Sequence, residues 1–224
     1  MNTTTIETRR GPITLHVCKD GNPENTEWVG IYNESFPPDQ RQPLDEIQRD
    51  LQSGVMELDE TRDDEGRILC MTLSEIFRPR EQHVSFVLAC YTAVWPDMRG
   101  MGIGSVHRRK LEKLLRDEYG EFLGMFTEIE STKQHTDDPV LRETRLRRKN
   151  FFLKLGLIPI DVPYLFPSYD GSAPLEGELL WFPFTDTKLD PRVLERVIFR
   201  IYTEGYGLSA DNDFVKERLA AVSV

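Results

Sequence analysis

Two stretches of the chain combine residue types and spacings that can do chemistry. The first is Arg99-Gly100-Met101-Gly102-Ile103-Gly104-Ser105, where glycines at alternate positions leave the backbone bare. Before it lies Val84–Val94, an apolar run rich in β-branched and aromatic residues that reads as a buried strand. After it, Ile103, Val106, Leu111, Leu114 and Leu115 share one stripe of a helix. The first amides of a helix lack internal acceptors and carry the positive end of its dipole. Strand, bare turn and helix start together make a cradle for phosphate. The second stretch is the polar end of Phe122–Ile129, with Glu128 and Glu130. A strand's period of two puts both carboxylates on one face and Ile129 on the other. Such a pair can raise one pKa toward the range of a general base. The plainer reading is two solvated carboxylates at a strand end.

The cradle is not a dinucleotide fingerprint, because the position of the third glycine holds Ser105 and no acidic residue ends a next strand about 20 residues on. Nor is it a Walker loop, because no Lys follows Gly104. Its pattern is R-x-x-G-x-G, filled by Arg99, Gly102 and Gly104.

The elements that must position these residues follow from periodicity and punctuation. Ile13–Lys19 alternates as a strand. Trp28, Ile31, Tyr32 and Phe36 recur at helical spacing until Pro37-Pro38, and a second helix covers Leu44–Leu51 up to Gly54. Val55–Thr61 and Arg67–Phe77 form a hairpin around Asp63-Asp64-Glu65-Gly66. Beyond the central strand and helix come the strand Phe122–Ile129 and a basic helix, Val140–Leu155, capped by Gly156. A strand over Leu157–Phe166 is bent by Pro159 and Pro163, and Leu179–Phe184 is the last strand. Asp190-Pro191 starts a helix striped by Leu194, Val197, Ile198 and Ile201, and another begins near Asp211 or Asp213. That stripe fits packing on the core or on a second copy in a homodimer.

Composition bounds the class. The chain has 224 residues, 39% of them hydrophobic and 29% charged, as in a soluble globular protein with ample core. No apolar run approaches the roughly 20 residues of a membrane helix, and MNTTTIETRR lacks the apolar centre of a signal peptide. Cys18, Cys70 and Cys90 form no CxxC and sit in strand-like stretches, so they read as small hydrophobes in a reducing, cytoplasmic setting. The four histidines have no metal-ligand spacing. A net charge of −10 argues against nucleic acid and leans toward a cationic or amine partner.

With Ala93-Val94-Trp95-Pro96-Asp97-Met98 before it, the R-x-x-G-x-G loop resembles the pyrophosphate-binding motif of the GNAT superfamily of acyl-CoA-dependent N-acyltransferases. The element order over residues 10–186 is similar, and Asn150–Leu157 echoes the superfamily's helix ending in F-Y-x-x-x-G-F. The resemblance implies an α/β fold with a mixed, largely antiparallel sheet flanked by helices. It implies a domain over residues 1–186, leaving 187–224 as a helical C-terminal extension packed on it. It implies acetyl-CoA, or another acyl-CoA, as co-substrate, with no metal. The backbone of Tyr91–Val94, Ala93 and Val94 included, would pair with the pantetheine arm. The amides from Arg99 through Gly100, Met101, Gly102, Ile103 and Gly104 to Ser105 would hold the pyrophosphate. Many members use a Glu as base, which points to Glu128 or Glu130, with Glu75, His83 and Ser85 as weaker candidates. The usual thiolate acid is a Tyr in a position that lines the cofactor, and here that position is Phe152. Tyr164 is the nearest substitute by order; a buried tyrosine with a satisfied hydroxyl is the commoner fate. In the basic helix, one or two of Arg142, Arg145, Arg147, Arg148 and Lys149 could meet a phosphate or carboxylate, the rest being a solvated face. Phe36-Pro37-Pro38 falls where the fold borders its acceptor pocket. No Cys occupies a nucleophile position, so attack by a small-molecule or peptide amine would be direct, in a ternary complex. The absent Tyr keeps open a protein that binds CoA, or a carrier protein's phosphopantetheine arm, without N-acetylation.

Overall fold

The computed structural model of the chain describes residues 2–19, 21–80, 84–169, 173–186 and 188–222. They fall into two units, one built from residues up to Ile76 together with Ala89–Gly120, the other from Phe77–Leu88 together with residues from Glu121 onward.

The first unit contains β1 (Asn2–Thr8), β2 (Gly11–Cys18), α1 (Glu27–Ser35), α2 (Leu44–Ser53), β3 (Met56–Arg62), most of β4 (Ile68–Phe77), the end of β5 (Phe86–Val94) and α3 (Ile103–Glu118). The strands lie in the order β1-β2-β3-β4-β5. The pairs β1–β2, β2–β3 and β3–β4 are antiparallel. No element was expected over residues 2–8. A strand forms there because Thr3, Thr4, Thr5 and Ile6 are β-branched and suit a pleated surface. Gly11, at φ +100°, closes the turn that sets Thr8 opposite it. β4 contributes to two clusters. Ile68, Met71 and Leu73 join Trp28, Ile31, Tyr32 and Ile47 of α1 and α2. Leu69 and Cys70 join Met98, Met101 and Ile103 at the start of α3.

The second unit holds β6 (Gly124–Glu130), α4 (Pro139–Lys154), β7 (Ile158–Pro159), β8 (Tyr164–Phe166), β9 (Leu175–Pro183), α5 (Pro191–Arg200) and α6 (Asp213–Val222). β9 pairs antiparallel with β6, β7 and β8. The single bent strand expected over residues 157–166 is two short strands on β9, because the stretch between them ends at Pro163, which has no amide to give a ladder. β9 itself starts earlier than expected, at Leu175. Asp138 caps α4 by accepting from the amides of Val140 (2.8 Å) and Leu141 (3.3 Å), and Gly156, at φ +93°, ends it.

The C-terminal segment packs within this unit. Asp190 caps α5, and Leu194, Val197, Ile198 and Ile201 are buried. The helix continues as a π-helical turn, Ile201–Gly205, before α6. The Arg200 side chain is fully buried. It donates to the carbonyls of Arg78 (3.1 Å) and Val84 (2.6 Å), pairs with Glu204 (2.7 Å) and lies over the Phe77 ring. Among the described residues no helix is long and apolar enough to cross a membrane.

Candidate active site

The glycine loop is anchored at both ends by apolar side chains. Met98 and Met101 are buried against Leu15, Leu69 and Cys70, and Ile103 closes the same cluster. Between these anchors Gly100 and Gly102 take φ +76° and +89°, left-handed values that L side chains avoid. A Cβ at Gly100 would meet nothing within 4 Å, and one at Gly102 would meet only the tip of Ile6 at 4.0 Å. The glycines are therefore demanded by the turn, and the space in front of them is open. Gly102 is the N-cap of α3, and its carbonyl accepts from the amides of Ser105 and Val106, both at 3.1 Å. The amide of Arg99 bonds to the carbonyl of Pro96 at 3.4 Å. Within the loop the amides of Arg99 and Ser105 are thus engaged, while helix geometry supplies no acceptor for those of Ile103 and Gly104.

The Arg99 guanidinium turns back on the strand, donating from Nε to the Val94 carbonyl (3.1 Å) and from an Nη to Ser35 Oγ (3.0 Å). The Val94 carbonyl, expected to pair with a pantetheine arm, is therefore engaged by Arg99. Ala93, one residue earlier, is buried.

α3 is held from beneath by polar residues. His107 and Arg108, neither of them on the apolar stripe read from sequence, are fully buried. The two ring nitrogens of His107 bond to Thr61 and Thr72, each at 2.8 Å. Burial, helped by the neighbouring Arg108 charge, pushes the imidazole down to about 3, so it is neutral. Arg108 lies 3.6 Å from Glu112, whose carboxyl burial raises to about 7 against the pull of that arginine. Polar residue type alone gave no signal for this inward pair. The expected Phe36-Pro37-Pro38 border is also in this unit, where the Phe36 ring packs on Tyr91 at 4.9 Å.

In the second unit the two candidate carboxylates have different company. Tyr164 donates its hydroxyl proton to Glu128 Oε1 at 2.6 Å, and the hydroxyl of Tyr206 lies 3.1 and 3.3 Å from the two carboxylate oxygens. Burial pushes the Glu128 carboxyl up to about 7, while both hydroxyls pull it back. The cause is burial and not the neighbouring Glu130, which corrects the paired-carboxylate expectation. Glu130 sits between Arg145 (3.7 Å) and Arg148. Lys149 pairs with Glu178. The basic face of α4 is thus in good part a set of struts to β6 and β9 rather than a solvated surface.

Tyr164 is buried, and its hydroxyl is held well above its ordinary pKa by burial and by the Glu128 charge. It also lines a cavity of about 590 Å³ walled by Lys149, Pro163, Glu178 and Arg218. Phe152 is buried in the cluster of Ile129, Leu155, Leu157 and Leu180, so packing accounts for it. Glu75 is buried on β4, and the Ser85 carbonyl accepts from the Leu123 amide. His83 lies outside the described residues. Tyr206 was not anticipated, since nothing in the sequence links it to a strand 78 residues away. Among the described residues no group of three or more His, Cys, Asp or Glu is arranged to hold a metal ion.

Comparison with solved structures identifies the architecture. The chain is similar to the ribosomal-protein-S18-alanine N-acetyltransferase of Escherichia coli (TM-score 0.54, 11% identity, covering 78% of this chain and 96% of that one). It is similar to Arabidopsis thaliana NAA60 in complex with acetyl-CoA (TM-score 0.56, 12% identity, 75% and 98%). An N-acetyltransferase of Staphylococcus aureus gives a TM-score of 0.53 at 14% identity, covering 76% and 99%. No family model matches the sequence, and no curated protein sequence matches it. The chain has the fold of the GNAT acetyltransferases, a mixed, largely antiparallel α/β architecture.

Proposed function

We propose that the protein transfers an acetyl or other acyl group from acyl-CoA to an amine of a small molecule or peptide, in the cytoplasm. The observation that carries this reading is the start of α3, where a left-handed glycine cap and two amides without helical acceptors meet open space in a GNAT fold. Such a cap fits a pyrophosphate by backbone donors and helix dipole together. Acyl-CoA supplies a thioester, whose carbonyl carbon is the electrophile.

The work left to the chain is proton handling. A carboxyl that titrates near neutral pH suits a general base, and Glu128, at about 7, is the group assigned that role. It takes the proton as the amine nitrogen bonds to the carbonyl carbon. The carbon–sulfur bond then breaks, and the thiolate sulfur needs one proton. Tyr164 is assigned as its donor, recovering its own proton from the now protonated Glu128 at 2.6 Å. Protonation of Glu128 also removes the charge that holds Tyr164 high, so the acid is most able to act after the base has acted. Glu130, between two arginines, is assigned to holding α4 rather than to the base step.

The test is thiol release from acetyl-CoA against a panel of primary amines. Glu128→Gln should lower the rate on the order of 10²–10⁴-fold while CoA-dependent thermal stabilisation is kept. Turnover that survives this change removes Glu128 as base. Phe152 in place of the superfamily's tyrosine favours a second reading, a CoA or phosphopantetheine-arm binder without N-acetylation. Stabilisation by CoA with no turnover on any amine would select it.

A further inference from the structure

The geometry points to Tyr206 as a positioning residue for Glu128, so that the C-terminal segment completes the proton-handling site. This inference rests on Glu128 being the base.

Three observations carry it. The Tyr206 hydroxyl reaches both carboxylate oxygens, at 3.1 and 3.3 Å, while Tyr164 takes Oε1 at 2.6 Å. Two donors arriving from separate elements fix the plane of the carboxylate as well as its charge state. Next, the backbone before Tyr206 departs from the α-helix. Ile201–Gly205 is a π-helical turn, with the Tyr206 amide bonded to the carbonyl of Ile201 at 3.0 Å. Wide turns of this kind re-aim the residues that follow and recur at functional sites. Finally, Tyr206 is braced. The Tyr169 ring packs on it at 5.5 Å, and Tyr202 stacks on Tyr164 at 5.7 Å with its hydroxyl on the Leu165 carbonyl.

The groups facing Glu128 are thus the hydroxyls of Tyr164 on β8 and Tyr206 after the π turn. Tyr202 and Tyr169 lie behind them, and Arg218 of α6 acts on Tyr202. Among the described residues no guanidinium or ammonium is the donor to this carboxylate, in contrast to Glu130. Hydroxyl donors favour the ionised carboxylate over the acid and so oppose burial. They set where the carboxyl titrates without locking it as an ion pair would, which a base that must accept and release a proton requires.

The experiment is a ¹³C NMR titration of the Glu128 side-chain carboxyl in the full chain, run beside the pH dependence of kcat/KM. Tyr206→Phe keeps the ring and removes the donor, and should move the carboxyl upward by about one pH unit. The acid limb of the rate profile should move with it, giving about a fivefold loss at pH 7 and recovery at higher pH. CoA-dependent stabilisation should not change. Tyr206→Leu, which removes ring and hydroxyl, should move both in the same direction. An unmoved carboxyl titration in the folded Phe variant overturns the inference, whatever the activity. A carboxyl that moves while the rate profile stays fixed leaves the coupling standing and removes Glu128 as base.

Discussion

Gly102 has its backbone at φ +89° with open space beyond it, so any side chain there is strained without being crowded. A β-branched side chain would also stand between a ligand and the amides of α3. Saturation at about 100 times Kd stabilises a folded protein by roughly 2.7 kcal/mol. Gly102→Val should lose most of that CoA-dependent gain, beyond its own lower starting stability. Thermal unfolding with and without CoA separates the two effects, and an undiminished gain in the variant would put the ligand elsewhere. Residues of this kind were legible in sequence, because an Arg and spaced glycines after an apolar strand have few other uses. Glu128 was legible as a carboxylate at a strand end, but the cause of its raised pKa was not. That cause is enclosure, and enclosure is assembled from β8 and the C-terminal segment, far away in the chain. The burial of His107 and Arg108 was not legible for the complementary reason: polar type argues for solvent unless the partners, here Thr61, Thr72 and Glu112, are known.

Among the elements, α5 is tied by a buried polar side chain. Arg200 satisfies carbonyls at Arg78 and Val84 and pairs with Glu204 while wholly buried. Arg200→Leu would leave those carbonyls without this donor and Glu204 with its more exposed partner Arg80 at 3.3 Å. Loss of one partner from a buried pair costs about 3–5 kcal/mol, and since Glu204 keeps some solvent the expected cost is about 2–3 kcal/mol. Urea unfolding of the variant measures it, and a change below about 0.5 kcal/mol, the usual range for surface substitutions, would show the contacts to be incidental. The helices were readable because caps and stripes are local: Asp138, Gly156 and Asp190 all act within a turn. The strands were less so. β1 is a run of threonines that becomes a strand only by pairing with β2, and β7 and β8 look continuous until β9 shows where pairing lapses.

At the scale of the whole molecule, three buried groups shape stability against pH. Glu112 and Glu128 are raised from 4.5 to about 7, so the folded protein holds their protons more tightly than the unfolded chain does. Their contribution is present below pH 4.5 and is lost as pH rises through 7. His107 is lowered from 6.5 to about 3, so the unfolded chain binds its proton more tightly, and its contribution is lost as pH falls from 6.5 toward 3. Between 4.5 and 6.5 two carboxylates oppose one imidazole, and stability should decline with rising pH; below 4.5 only the imidazole of the three acts. The urea midpoint should therefore peak near pH 5, on the order of one to two units below neutrality. Measured from pH 3.5 to 8, a peak above pH 7 would contradict this assignment. His107→Gln should flatten the acid side, steepen the decline between pH 4.5 and 6.5 and leave the profile above 6.5 unchanged.

The π turn at Ile201–Gly205 carries one residue more than an α-helix would use for the same rise. Each helical residue turns the chain by about 100°. Dropping a single residue from this turn would remove the wide Tyr206-to-Ile201 bond and change the register of the Tyr206 hydroxyl against Glu128. The segment is therefore a spacer whose length matters more than its letters. Substitutions at Thr203 and Gly205, outside the Arg200–Glu204 pair, can be absorbed one by one, whereas a change in number reaches the carboxylate.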